Sequence, residues 1–132
     1  MLVELPMDLK RHFIAIVDDE EPVRKALRRL FLSADLDVEV FASGEDFLSS
    51  LAGEAPDCVV LDLHMPGLDG RDVLQELRMR SVKFPAVVIT AYDEPWSKDQ
   101  CLAAGAAAYL RKPLDDRLLI DTINLTLAPP AP

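Results

Sequence analysis

Apolar residues gather in five short runs along the chain: Phe13-Ile14-Ala15-Ile16-Val17, Asp37-Val38-Glu39-Val40-Phe41, Cys58-Val59-Val60-Leu61, Ala86-Val87-Val88-Ile89 and Ala107-Ala108-Tyr109-Leu110. The second alternates apolar with acidic residues, the pattern of a half-exposed strand. The third is continuous, as in a strand covered on both faces. Between the runs the period changes to that of a helix. After Pro22, a favoured first-turn residue, Val23, Ala26, Leu27, Leu30, Phe31 and Ala34 fall on one helical face, and Arg24, Lys25, Arg28 and Arg29 fall opposite. Ser43-Gly44-Glu45-Asp46 resembles a capping box opening a short helix with Phe47, Leu48 and Leu51 inward. Pro66-Gly67 marks a turn, and Asp69 caps a helix holding Val73, Leu74 and Leu77. Pro95 opens a fourth helix that Gly105 closes. A last helix spans Asp115 to Leu127, with Leu118, Leu119, Ile123 and Leu127 apolar. Five strands each followed by a helix predict a (βα)5 α/β fold, a doubly wound parallel sheet with helices on both faces.

Composition narrows this to one domain. The chain has 132 residues, half of them hydrophobic, enough for one core and too few for two ordinary ones. Fourteen basic against 23 acidic residues give a net charge of −9, which argues against nucleic-acid binding through a broad basic face. Cys58 and Cys101 lack metal-ligand spacing and read as small buried hydrophobes of a reducing compartment. No signal-peptide stretch is present, and no run nears the roughly 18 apolar residues a membrane span needs. The expected location is cytoplasmic. The expected organisation is an N-terminal extension over 1–11, one domain over 12–127 and a proline-rich tail over 128–132.

The chemistry gathers at the C-terminal ends of the runs, where open α/β sheets place their sites. Asp18-Asp19, Asp62, Thr90 and Lys112-Pro113 all stand there. Two carboxylates ~4 Å apart repel by about 4 kcal/mol at an effective dielectric near 20. Such a cluster therefore holds a proton or a cation. Oxygen ligands favour Mg²⁺, Mn²⁺ or Ca²⁺ over zinc, and Mg²⁺ combines one or two carboxylates with water and phosphate oxygens. An aspartate can attack a phosphoryl group, provided that the phosphoryl charge is neutralised and its oxygens are held. Lys112 supplies a point charge and Thr90 a short donor. Singly, each residue has an ordinary explanation: helix cap, turn residue, strand former, solvated lysine. Their joint occurrence at successive strand ends is the specific signal.

These residues resemble the receiver domain of two-component response regulators over residues 12 to 127. Val17-Asp18-Asp19-Glu20 is similar to the family's acidic pair, and Val59 through Gly70 to its phosphoacceptor segment. Ile89-Thr90-Ala91 and Lys112-Pro113 are similar to its hydroxyl and lysine motifs. Pro22-Val23-Arg24 and Phe47-Leu48 resemble the FixJ-like subgroup. The resemblance implies a flavodoxin-like sheet of strand order 2-1-3-4-5. It implies that Asp62 accepts a phosphoryl group from a histidine kinase or phosphotransfer protein, with no other enzymatic activity than this self-modification. It implies Mg²⁺, or Mn²⁺, bound by Asp19 directly, Asp18 through water, Asp62 and the backbone carbonyl of His64. Lys112 pairs with the phosphoryl group, and the Lys112-Pro113 bond is cis. Thr90 swings toward the phosphoryl oxygens, and Tyr109 follows it inward, switching the face formed by the fourth helix, fifth strand and fifth helix. Phosphorylation-dependent pairing of two copies through that face is a further implication. The output partner is not specified. The chain is either a stand-alone regulator, which is favoured, or the receiver part of a larger protein.

His64 and Tyr92 stand two positions beyond Asp62 and Thr90, at the expected rim of the site, where their bulk limits water access and slows self-dephosphorylation. The Arg24, Lys25, Arg28 and Arg29 face reads as a solvated helix face or a kinase-docking surface, and Trp96 as an exposed anchor or a hydrophobic staple. Other classes fit less well. A haloacid-dehalogenase-type phosphatase wants a DxD motif and a cap domain. A flavin binder wants a phosphate loop after the first strand, where this chain is acidic. A receiver acting as a scaffold without phosphate is the alternative, against which the intact site argues.

Overall fold

The computed structural model describes residues 11–92 and 94–128. The N-terminal extension before Arg11 and the proline-rich tail after Ala128 lie outside the described residues. Five strands and five helices alternate: β1 (Phe13–Val17), α1 (Glu21–Ser33), β2 (Asp37–Phe41), α2 (Gly44–Ser50), β3 (Cys58–Asp62), α3 (Gly70–Met79), β4 (Ala86–Thr90), α4 (Ser97–Ala103), β5 (Ala108–Arg111) and α5 (Asp116–Leu127). All strand pairs are parallel, in the order β2-β1-β3-β4-β5. The expected (βα)5 sheet and strand order are both observed.

The period-two alternation of the strands sorts the core into two layers. Ile14, Ile16, Cys58, Val60, Val87 and Ile89 pack under α1 and α5 with Leu27, Phe31, Leu119 and Ile123. Ala15, Val17, Val59, Leu61, Val88 and Tyr109 pack on the other side under α2, α3 and α4, with Phe47, Val73, Leu74, Leu77 and Cys101. The three inner strands are thus covered on both faces, which explains why β3 and β4 read as continuous apolar runs.

Helix ends follow the chemistry of their caps. Ser43 accepts from the Asp46 N–H at the start of α2. The full reciprocal box forms at α3, between Asp69 and Asp72. Asp115 accepts from the Leu118 N–H and starts α5 one residue later than expected. Two other boundaries differ. Pro95 and Trp96 form a turn, and α4 begins only at Ser97, with Trp96 at its N-cap. β5 begins at Ala108 because Ala107, although its N–H donates to Ala86 O at 2.8 Å, precedes the ladder proper. Gly105 does close α4, at φ 102°. No helix of the described residues is long and apolar enough to cross a membrane.

Candidate functional site

Strand register brings the singled-out residues to one edge. Val17 lies opposite Leu61 across β1 and β3, so Asp18 and Asp62, each one position further on, stand side by side. Asp62 lies opposite Ile89, and Thr90 opposite Arg111. The Lys112 N–H donates to Thr90 O at 2.7 Å, which fixes the lysine at the end of β5. The Lys112-Pro113 peptide is cis.

Lys112 sits at the centre of the charges. Its Nζ lies 2.9 Å from Asp18 Oδ2, 3.4 Å from Glu20 Oε1 and 3.8 Å from Asp62 Oδ1. Asp18 and Asp62 are almost fully buried. Burial first, then the charges of Asp18 and Asp19, raise the Asp62 carboxyl, Lys112 and a bond from the His64 backbone oppose the rise, and together they leave it pushed up to about 7. Burial alone would lower the ammonium of Lys112, but its bond to Asp18 and the charges of Asp62, Asp18 and Glu20 carry it above its ordinary value. One ammonium thus serves several carboxylates, and Asp62 answers the excess by holding its proton.

A set of carboxylates that could hold a cation gathers at this edge. Carboxylate oxygens of Asp18, Glu20 and Asp62 lie within 4.8 Å of one another. Asp19 is exposed and outside that group; it reaches Asp62 through its charge. The cause is local. Asp18 Oδ1 accepts the Glu20 N–H at 2.9 Å, and the Arg24 guanidinium donates to Asp18 O at 2.8 Å. This turn starts α1 and brings Glu20 within reach of Lys112. The donors are all hard oxygens with surplus negative charge, which fits a divalent cation of the Mg²⁺ or Mn²⁺ kind.

Thr90 is buried, and its hydroxyl is engaged locally: it donates to Tyr92 O at 3.0 Å and accepts from Tyr92 N at 3.1 Å. Tyr109 is buried among Val88, Cys101 and Ala106. The His64 ring meets the Tyr92 ring edge to face, with centroids 5.2 Å apart. His64 Nε2 is buried without a hydrogen-bond partner among the described residues, while Tyr92 is exposed. Behind Asp62, α3 approaches so closely that a Cβ on Gly70 would stand 2.6 Å from Asp62 O and 2.7 Å from Leu63 Cα. Only a glycine lets the Gly70 N–H reach Leu63 O at 2.8 Å there.

Three contributors escaped the sequence. Glu20 follows an acidic pair and looks like a helix-start residue. Arg24 belongs to a basic face that reads as solvated, yet it binds the backbone of Asp18. Arg71, on the first turn of α3, reaches α4 at Ser97. The alternation of acidic and basic residues gives no signal for any of them; only the fold brings each to its partner.

A five-stranded parallel sheet of this order, with an acidic cluster and a lysine at its carboxyl edge, defines a class. The family profile of the response regulator receiver domain matches residues 14–124, and the chain belongs to that family. It is a receiver domain of two-component signalling. Among curated relatives, the transcriptional regulatory protein TdiR of Thauera aromatica is 36% identical over 115 residues, which are 87% of this chain and 51% of TdiR. The chain therefore spans about half the length of that relative. A solved response regulator receiver protein from Burkholderia phymatum is 40% identical with a TM-score of 0.81, covering 92% of this chain and 99% of the other. The solved FixJ-N is 30% identical with a TM-score of 0.82, covering 89% and 94%.

Proposed function

We propose that Asp62 is the phosphoacceptor of this receiver. The observation that carries the reading is the buried Asp62 carboxyl, 3.8 Å from Lys112 and grouped with Asp18 and Glu20. An ionised Asp62 oxygen attacks phosphorus, the bond from phosphorus to the donor breaks, and the donor, a histidine of a kinase or phosphotransfer protein, leaves with the electron pair. Lys112 balances the charge on the phosphoryl oxygens, and Thr90 donates to one of them after leaving Tyr92 O. Mg²⁺, or Mn²⁺, would be held by Asp18, Asp19, Asp62 and the backbone carbonyl of His64, with Glu20 as an added carboxylate, and it would supply the positive charge that keeps Asp62 ionised. Beyond this self-modification the domain is a signalling part and not a catalyst of other reactions.

The movement of Thr90 biases a two-state equilibrium in which Tyr109, already packed in the core, couples the site to the α4-β5-α5 face. That face carries Trp96 and Leu118, both half-exposed, and it is the surface for the output partner or a second phosphorylated copy. The donor docks beside Lys112, where a groove of about 300 Å³ is lined by Pro22, Val23, Ala26, Lys112, Pro113 and Leu114. Its apolar floor and its position support a helix of the donor as occupant. The location is cytoplasmic, the domain itself does not bind nucleic acid, and the subgroup is FixJ-like.

Incubation with acetyl phosphate and Mg²⁺, followed by intact mass, tests the reading. A phosphoryl adduct is expected for the wild type and not for Asp62→Asn. An adduct of equal yield in both would overturn it.

A further inference from the structure

The start of the helix that must respond to the phosphoryl group is tied to its neighbour by a half-buried side chain. Arg71, in the first turn of α3, extends a guanidinium whose Nη2 lies 3.4 Å from Ser97 Oγ and 3.9 Å from Glu94 Oε2. Ser97 is the first residue of α4 and fully buried, and Glu94 stands just ahead of it. The fully buried thiol of Cys101, one turn along α4, takes part in the same cluster. A second cation, Arg78, reaches the far end of α4 at Ala103 O, but at 3.3 Å from an exposed position. Arg71 is therefore the polar link between α3, anchored on Asp62 and Leu63 through Gly70, and the start of α4.

This link is incompletely made. Among the described residues Arg71 Nε is buried with no hydrogen-bond partner, and both of the Nη2 contacts are long. A buried donor left unpaired is costly, so the guanidinium has more to gain from other arrangements than a fully satisfied fork would. In the same structure Thr90 is tied to Tyr92 rather than turned to Asp62. The two features coexist in one arrangement, here called resting, in which the Thr90 hydroxyl is engaged by Tyr92.

We propose that Arg71 is a positioning residue: its contacts with Ser97 and Glu94 hold α4 in the resting arrangement and set how readily Thr90 turns to a phosphoryl group on Asp62. The proposal rests on the reading of Asp62 as phosphoacceptor. A ligand shifts a two-state protein only by its differential affinity for the two states. Weakening a contact specific to the resting state therefore tightens binding of a phosphoryl analogue.

The test is a titration with beryllofluoride and Mg²⁺. Occupancy is followed by ¹⁹F resonance of the bound analogue, and α4 by the fluorescence of Trp96, the single tryptophan, which stands between Glu94 and Ser97. Arg71→Ala is expected to lower the apparent Kd about fivefold, at the low end of site-to-site coupling. Glu94→Gln removes only the partly exposed ion pair and is expected to lower it about twofold. Arg71→Lys, which keeps the charge but not the fork, is expected to fall between wild type and Arg71→Ala. Because Glu94→Gln leaves the buried cluster intact, it reports even where Arg71→Ala unfolds. A merely structural role would lower the melting temperature and leave Kd unchanged. Unchanged or weaker binding in both Arg71→Ala and Glu94→Gln would overturn the proposal. Saturable binding by the wild type and none by Asp62→Asn upholds the reading beneath it, whereas no binding by the wild type would sink that reading and the proposal together.

Discussion

The two sides of the sheet contribute different halves of the site. Asp62 continues the alternation of Cys58 and Val60, which lie under α1 and α5, and there it meets Asp18, Glu20 and Lys112. Thr90 continues the alternation of Ala86 and Val88, which lie under α3 and α4, as does Tyr109. The first half is made of charges and the second of a hydroxyl and packed rings. Removing one partner of a buried ion pair typically costs about 3–5 kcal/mol, whereas a neutral hydrogen bond is worth about 1. The charged half is thus set before any phosphoryl group arrives. In the neutral half the Thr90 hydroxyl is engaged by Tyr92, a neutral contact that an event of modest energy can turn. A switch needs this inequality: fixed chemistry beside a soft responder.

The largest effect is expected at Lys112. Lys112→Ala leaves Asp18 and Asp62 without their shared cation, and phosphorylation by acetyl phosphate is expected to slow on the order of 10²–10³-fold, as when one charge-stabilising donor is lost. A rate within a few-fold of wild type would show that the charged half does not depend on it.

The next largest effect is on stability against pH. The Asp62 carboxyl releases its proton near 7 in the folded, metal-free protein and near 4 when unfolded. Between these values the folded chain binds the extra proton, so stability is full below about pH 4, falls as pH rises and levels off above about pH 7. The loss at pH 8 is expected to be on the order of 4 kcal/mol. Urea unfolding at pH 5 and pH 8 measures it. Asp62→Asn should flatten the profile, and Mg²⁺ should restore stability to the wild type at pH 8.

Gly70→Ala tests whether the frame beneath the charged half has room to yield. The added carbon meets backbone at 2.6 and 2.7 Å, and overpacking of that kind costs about 2 kcal/mol. Chemical denaturation should show it, accompanied by slower phosphorylation, because the displaced atoms belong to Asp62 and Leu63.

On the neutral side the effects are smaller. Thr90→Ala should reduce the phosphorylation rate about tenfold, the equivalent of one neutral hydrogen bond, and abolish the Trp96 fluorescence response to beryllofluoride. Tyr92→Ala and His64→Ala, which open the edge-to-face contact over the site, should each shorten the life of the phosphorylated form about threefold by admitting water. A lifetime that changes in neither variant would remove the rim from the account.

Much of this architecture was legible in the sequence because strand ends and chemistry coincide. The continuous runs at β3 and β4 announced strands buried on both faces, and the residues just past them announced the site. Legibility failed where local pattern and tertiary reach part company. The alanine-rich stretch around Ala106-Ala107 has no period, so nothing in it marks Ala108 rather than Ala107 as the start of β5. Pro95 looked like a first-turn residue but serves a turn, because Trp96 takes the N-cap. Asp19 and Glu20 differ by one position in sequence, and only the Asp18 turn decides which of them faces Lys112. Arg71 reads as a helix-surface arginine, since its partners Glu94 and Ser97 lie more than twenty residues away and meet it only through the packing of α4 on α3.

If Asp62 is the phosphoacceptor, one carboxylate among several neighbours takes the phosphoryl group. Borohydride reduces an acyl phosphate to an alcohol and so marks its position permanently. The direct measurement is reduction of the acetyl-phosphate-treated protein followed by peptide mass mapping. Homoserine is expected at position 62, with Asp18, Asp19 and Glu20 unchanged. Homoserine at 18 or 19, or none at 62 while intact mass shows an adduct, would contradict it.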